Sequence, residues 1–385
     1  MRQGEIFRLD DAAAMPLTAA VLHEGIRAQH HLGAQFHASV KGQTVADFAV
    51  GESRDGVAMT PDTINLWFSS GKPLTAVAIA RLWERGLVDL DAPVAACVPE
   101  FAQHGKERIS VRHLLTHTAG FRAADRIKDS LSWDQAIETI CATPMEPGWN
   151  PGERAGYQLF SSWFILGEIV RRADGRAVDR FVAEEILTSL GLNDCWMGLS
   201  RERFQSYGER IGWMHLRTQS GLRPHSAWNS EESAAVVRPG GNVRGPIKAL
   251  AGFYEALLGF RRVNHGPGAG QPVLQTSTVA EFTRRQRVGL FDETFGHTMD
   301  WGLGFGVNSN RYGVDTVPYG FGRFASDSTF GHGGSQSSCG FADPTHGLAV
   351  AWVCNGMTGE VAHQERARRI NAAIYEDLGL ANRTH

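Results

Sequence analysis

Lysine is scarce in this chain of 385 residues: of 38 basic side chains only five are lysines, at positions 41, 72, 106, 128 and 248. Basic and acidic residues nearly cancel, 38 against 41, for a formal net charge of -3. Nothing in that balance attracts a polyanion, so neither nucleic acid nor an anionic membrane is an expected partner. The arginine clusters at 284–287 and 366–369 read as solvated helix faces. No run of about 18 apolar residues occurs, so no membrane span is expected. Residues 1–11 have no cationic stretch leading into an apolar one, so no secretory signal is expected either. Five cysteines, at 97, 141, 195, 339 and 354, are odd in number and dispersed. They predict reduced core residues of a cytoplasmic protein rather than a disulfide framework. The nucleophile motif Gly-x-Ser-x-Gly is absent, which excludes an α/β-hydrolase. His113 and His117 stand four apart, but Leu114 occupies the place where a zinc-protease helix needs Glu. Buried structural histidines and no metal are expected. Gly302-x-Gly304-x-Gly306 does not open a helix after a strand, so no dinucleotide, and no other cofactor, is expected.

What is present is an ordinary globular composition, 42% hydrophobic and 21% charged, in a chain long enough for two lobes. Within it, Lys72 alone among the lysines has a serine three residues before it, Ser69. On a helix, positions three apart share a face, so the Ser69 hydroxyl and the Lys72 amine can converge. Serine needs a neighbour to take its proton, and a desolvated lysine can be that neighbour. The tetrapeptide alone equally suits a helix cap with a solvated lysine. Its flanks, Trp67-Phe68 before and Leu74, Val77, Ala78 and Leu82 after, are apolar on both sides. A lysine between buried flanks needs a reason.

Apolar spacing at Ala13, Leu17, Val21 and Ile26 predicts a helix within 12–30. Residues 35–40 and 44–50 alternate like strands about the turn Lys41-Gly42-Gln43, a hairpin signal. The Ser69 helix is expected to run to Arg85, and Ser110 reads as the N-cap of a short apolar helix. Residues 151–157 form a tight loop presenting Tyr157 before an amphipathic helix over 161–172. Residues 205–237 lack a period and are expected to be irregular. A helix over 247–258, strands near 330–335, 338–343 and 348–355, and a helix over 365–378 complete the reading. Strands at both ends with helices between predict an α/β fold. The sheet lobe comes from 1–68 and 270–385, a mainly helical lobe from 69–269, and the site lies at their junction.

Several segments, taken in order, resemble the class C β-lactamase-like serine hydrolases, a group that includes cytoplasmic esterases and transacylases. Ser69-Ser70-Gly71-Lys72 resembles the Ser-x-x-Lys box. His113-Leu114-Leu115-Thr116-His117-Thr118-Ala119-Gly120 resembles the structural HLLTHTSG signature. Pro151-Gly152, Tyr157 and Trp163 to Gly167 are similar to the segment carrying the catalytic tyrosine. Pro239-Gly240-Gly241 with Phe253-Tyr254 resembles a further shared turn and helix, and His332-Gly333-Gly334-Ser335 a variant of the Lys-Thr-Gly box. The resemblance covers roughly residues 35 to 375. It implies a β-lactamase/transpeptidase-like fold, an antiparallel sheet flanked by helices (an α+β sandwich) beside a mainly helical lobe. Ser69 would be the nucleophile, with Lys72 and Tyr157 moving its proton; Lys72 would lower the pKa of Tyr157 enough for it to act as base. The N–H groups of Ser69 and Ser335 would form the oxyanion hole, beside His332, Gly333 and Gly334.

Two departures matter. The tyrosine box, usually Tyr-x-Asn, reads Tyr157-Gln158-Leu159, and His332 replaces a fixed positive charge. Both point away from β-lactam substrates, as does the expected cytoplasmic location. The expected activity is transfer of an acyl group from a small ester or amide through a serine acyl-enzyme. Water as acceptor makes an esterase, and an amine makes a transacylase of the kind that serves natural-product biosynthesis. A D-aminopeptidase-type amidase would need a cleft carboxylate such as Glu153 or Asp327; a non-catalytic sensor would be expected to lack Ser, Lys or Tyr. Trp149, Trp163, Trp301 and Tyr319 are candidates for the acyl pocket, although such residues are more often core. The sequence leaves the oligomeric state open.

Overall fold

The computed structural model describes residues 13–128, 130–265 and 268–381. Residues 1–11, on which the expectation about a secretory signal rests, and the start of the 266–270 loop lie outside them.

The sheet strands are β1 (Gly33–Val40), β2 (Gln43–Arg54), β3 (Val57–Ala58), β4 (Gly306–Val307), β5 (Phe330–Gly334), β6 (Ser338–Asp343) and β7 (Leu348–Cys354). Their spatial order is β4-β5-β6-β7-β1-β2-β3, antiparallel throughout. The β1–β2 hairpin turns on Lys41 and Gly42, both with positive φ (50° and 75°), which suits the right-handed twist of the paired strands. The main helices are α1 (Pro16–Arg27), α2 (Lys72–Glu84), α3 (Val111–Leu115), α4 (Ser161–Asp174), α5 (Ile247–Leu257) and α6 (Glu360–Asp377).

Strand β1 is buried along Gly33–Ser39 because both faces are covered. Ala34, Phe36 and Ala38 share a core with residues of α1 and α6. Helix α5 packs on β1, β6 and β7, although it belongs to the stretch expected to form the helical lobe. Helix α1 has no cap of its own; Asp377, at the far end of the chain, accepts from Leu17 N (3.0 Å) and from Thr18 N and Oγ1 (2.8 Å each). The two chain ends thus stabilise one another.

In the helical part, α2 is buried from Lys72 through Ala80 and packs on α4. Helix α4 is buried at every position from Ser161 to Val170, so its first turns are interior rather than amphipathic. Residues 205–237 are more ordered than their composition predicts. Helix Arg201–Tyr207 enters them, a hairpin pairs His215–Thr218 with Gly221–Pro224, and His215 aligns in parallel with Gly356. That order comes from a partner at the other end of the chain, which no local period reveals. Helix α6 begins five residues before its expected start. Among the described residues no helix is long and apolar enough to cross a membrane.

Candidate active site

Ser69 lies in a tight turn, Phe68–Gly71, that runs directly into α2. Phe68 holds φ +50°, sparsely populated without glycine, and such outliers cluster where a reactive group must be held. Its ring stands edge-on to Trp228, centroids 5.1 Å apart. Ser70 Oγ reaches His332 O (3.0 Å) and Ser338 Oγ (2.9 Å), tying the turn to β5 and β6. A Cβ on Gly334 would stand 2.1 Å from Trp67 O, so only glycine lets β5 approach the turn this closely.

Lys72 is fully buried on the first turn of α2. Its Nζ lies 2.9 Å from Ser69 Oγ and donates to Leu159 O (2.8 Å) and Gly240 O. Carbonyls only accept, so two N–H bonds are committed and the third direction faces Ser69. Protonated, the amine donates to Oγ; neutral, it turns its lone pair to the Oγ hydrogen. Burial lowers the Lys72 pKa from 10.5 to about 7, against the opposing pull of the Asp125 carboxylate.

Tyr157 shares a hydrogen bond with Ser69, but burial raises its pKa far above the ordinary value. This corrects the expectation that Lys72 would lower it. The Lys72 amine lies over the ring, 5.2 Å from its centroid, and has largely lost its own preference for the charged form. Desolvation wins, and the neutral phenol is a donor rather than a base.

The segment 113–120 holds the Tyr157 loop. His117 O accepts from Gly156 N (3.0 Å), Thr118 O from Gly152 N (3.2 Å), and the His117 ring packs on Tyr157 with centroids 4.4 Å apart. His117 Nδ1 accepts from Gln158 N, and His113 Nδ1 from Ser110 N in the capping box of α3. Both imidazoles thus brace the local backbone through Nδ1. Among the described residues no three ligating side chains cluster as a metal site. Prolonged dialysis against EDTA is expected to leave turnover unaltered; a loss restored by zinc would return His113 and His117 to consideration as ligands.

His332 sits on β5 opposite Gly340. Burial, then the Lys72 charge, lowers its pKa to about 3, so it carries no charge at neutral pH. Its Nδ1 lies 2.7 Å from Gly333 O, which assigns the ring proton to Nδ1. Gly333 and Gly334 end the strand, and Ser335 falls in the turn just beyond it rather than on it.

A cavity of about 590 Å³ brings together Ser69, Tyr157, His332, Gly333 and Ser335. Its walls are apolar, with Phe295, Met299, Trp301, Val317 and Phe321 prominent. Of the four candidate pocket aromatics, Trp301 and Tyr319 line it. Trp149 instead donates to Thr118 O, and Trp163 belongs to the helical core. Glu153 and Asp327 are exposed and do not line the cavity; the carboxylates at its rim are Asp315 and Glu360.

Two carboxylates that the sequence reading missed hold the site from behind. Asp125 accepts from the N–H groups of Leu159, Phe160 and Ser161, at 2.7 to 2.9 Å, and so fixes the carbonyl that grips Lys72. Buried Asp292 accepts from Tyr157 N (3.0 Å) and pairs with Arg287 (3.0 Å). Neither stands in a sequence motif, so nothing local marks them.

The Beta-lactamase family model matches residues 18–374. The chain belongs to the beta-lactamase family. Esterase EstB of Burkholderia gladioli is 27% identical over 385 aligned residues, covering 92% of this chain and 94% of that protein. Among solved structures, a penicillin-binding protein homologue from Caulobacter crescentus is 28% identical with TM-score 0.76, over 97% of this chain and all of that one. A family VIII carboxylesterase is 26% identical with TM-score 0.73, over 95% of this chain and all of that one. The fold is therefore the β-lactamase/penicillin-binding-protein fold that the ordered boxes imply. This beta-lactamase-family chain is a serine hydrolase.

Proposed function

We propose that the protein is a carboxylesterase or transacylase of apolar acyl groups that works through an acyl-enzyme on Ser69. The observation that carries this reading is Lys72: buried, titrating near neutrality, and left one direction in which to point its lone pair, at Ser69 Oγ.

Neutral Lys72 takes the Ser69 proton as Oγ adds to the acyl carbonyl. The oxyanion is received by the N–H groups of Ser69 and Ser335. As the C–O bond breaks, the Tyr157 phenol gives its proton to the departing alkoxide, and the Lys72 ammonium restores it. The net movement is one proton from Ser69 to the alcohol. Water or an amine then attacks the acyl-enzyme by the reverse sequence, and Ser69 is regenerated. Uncharged His332, and Leu159 in place of an amide, suit a neutral donor better than a carboxylate-bearing β-lactam. We further propose that substrate enters between lobes 1–68 with 270–385 and 69–269, α5 being the helix the second lends to the sheet. A cytoplasmic location is supported by five unpaired cysteines, four of them buried.

The test is intact-protein mass after brief mixing with p-nitrophenyl butyrate, with and without primary amines. An acyl adduct that yields amide at the expense of acid identifies a transacylase, and acid alone an esterase. No adduct and no burst would sink the reading. Tyr157→Phe is expected to slow acylation about 10²–10³-fold, read as the single-turnover rate of p-nitrophenol release. A near-normal rate would remove the phenol from proton transfer.

A further inference from the structure

One wall of the cavity is Tyr319, in ring contact with Phe295, and both its backbone and its side chain are held. Its backbone holds φ +52°, uncommon for a residue with a side chain. Its N–H donates to Gln364 Oε1 (2.7 Å) and its hydroxyl donates to the Glu360 carboxylate (3.0 Å). The same hydroxyl accepts from Gln336 N (3.3 Å), the residue that follows Ser335. Its ring touches His363 on one side and Phe295 on the other, centroids 5.3 and 5.8 Å away.

The position of that ring has a chemical consequence. Past Gly331, β5 has no outer strand among the described residues, since β4 pairs only with Phe330 and Gly331. A donor with an extended, peptide-like acyl part can lie along such an edge, provided its substituents find room on both faces of the sheet. Gly333 offers no side chain on one of those faces, but the space is already taken. A Cβ there would stand 2.5 Å from Tyr319 Cδ1 and 3.1 Å from Cγ. On the other face stands His332, buried and also lining the cavity. What remains beside Ser69 is the space bounded on one side by the touching Tyr319 and Phe295 rings, with Met299, Trp301 and Val317 among its other walls.

We propose that Tyr319 is the specificity-determining residue of this cavity, its ring over Gly333 excluding donors branched or peptide-like next to the acyl carbonyl and admitting slim apolar ones. The inference rests on the Ser69 acyl-enzyme reading and deepens it by naming the donor class. Hydrogen bonds and ring packing hold Tyr319 in place, so it does not swing aside to admit a wider donor.

The experiment compares kcat/KM for p-nitrophenyl butyrate and p-nitrophenyl 2-methylbutanoate, which share a leaving group and differ only in the α-methyl branch. Tyr319→Ala is expected to raise the branched-to-linear ratio at least about 10-fold, and Tyr319→Phe, which keeps the ring, to leave it within about 2-fold of wild type. Tyr319→Leu, apolar but without the ring, is the second variant should the alanine form fold poorly, with a smaller rise in the same direction. An unmoved ratio in the folded ringless variant overturns the inference. An equal rise in Tyr319→Phe also overturns it, because the hydroxyl tether rather than the ring would then set the selection. Absence of a Ser69 adduct in wild type with either ester overturns the parent reading as well, whereas an adduct with an unmoved ratio overturns this inference alone.

Discussion

Ser69→Ala is expected to lower kcat/KM for p-nitrophenyl esters by about 10⁵-fold, the scale of loss when a covalent nucleophile is removed from a site whose other parts remain. The mass adduct should vanish with it. The thermal midpoint should shift little, because Ser69 is half-buried and Lys72 keeps its bonds to Leu159 O and Gly240 O. Stability and activity therefore separate cleanly in this variant. Retained turnover above about 1% of wild type, beyond any uniform binding effect, would assign the nucleophile elsewhere, with Ser335 one of the other hydroxyls lining the cavity.

Lys72→Met is the second large effect, and it moves activity and stability in opposite directions. Acylation should fall by about 10³-fold or more, since the base and the cation that later returns a proton are lost together. In wild type the acylation rate should climb with pH through about 7 and level off above, tracking loss of the ammonium. In the variant that limb should be gone. For stability the sign runs the other way from an ion-paired lysine. The folded pKa of about 7 lies below the ordinary 10.5, so between those values the unfolded chain holds a proton that the folded one does not. Wild-type stability accordingly rises with pH across that window, and the burden is greatest at pH 7 and below. Replacing the amine with a thioether removes the burden but leaves two carbonyls without a donor, at about 1 kcal/mol each. The net is an expected gain of about 1–3 kcal/mol at pH 7, shrinking as pH rises and becoming a loss of about 2 kcal/mol above pH 10.5, where only the two orphaned carbonyls count. A thermal midpoint that falls at pH 7 would mean that the lysine is held charged, and would contradict its role as base.

Ser69 and Lys72 were legible because helical spacing is a local property. Three residues put two side chains on one face, and apolar flanks bury them. The β1–β2 hairpin was legible for the same reason, since its turn residues and its alternation lie within one short segment. Tyr157 could be located through its loop but its protonation could not, because that depends on what surrounds the ring. His117 and the segment carrying Phe295 and Trp301, far apart in the chain, pack on it and exclude water. Asp125 and Asp292 were invisible on similar grounds: a single acidic residue acts here through backbone N–H groups supplied elsewhere in the chain. The hairpin at 215–224 failed to show because its partner strand is Gly356–Met357. Spacing carries the chemistry of neighbours, and burial decides its charge state.

The pairing of β1 with β7 joins Ala34 to Cys354 and Val40 to Leu348, segments from opposite ends of the chain. During synthesis, at about 5–20 residues per second, the first hairpin leaves the ribosome long before the strand that completes it. Until then β1 has one unpaired edge and apolar residues bare on its surface, whereas α2, α3 and α4 find each other within the middle of the chain. A nascent chain stopped before β7 therefore contains Ser69, Lys72 and Tyr157 but has no completed sheet to set against them. The enzyme gains its working geometry only once β7 has been made, and its period of greatest exposure to aggregation is set by the stretch of chain between β1 and β7 rather than by any step of the chemistry.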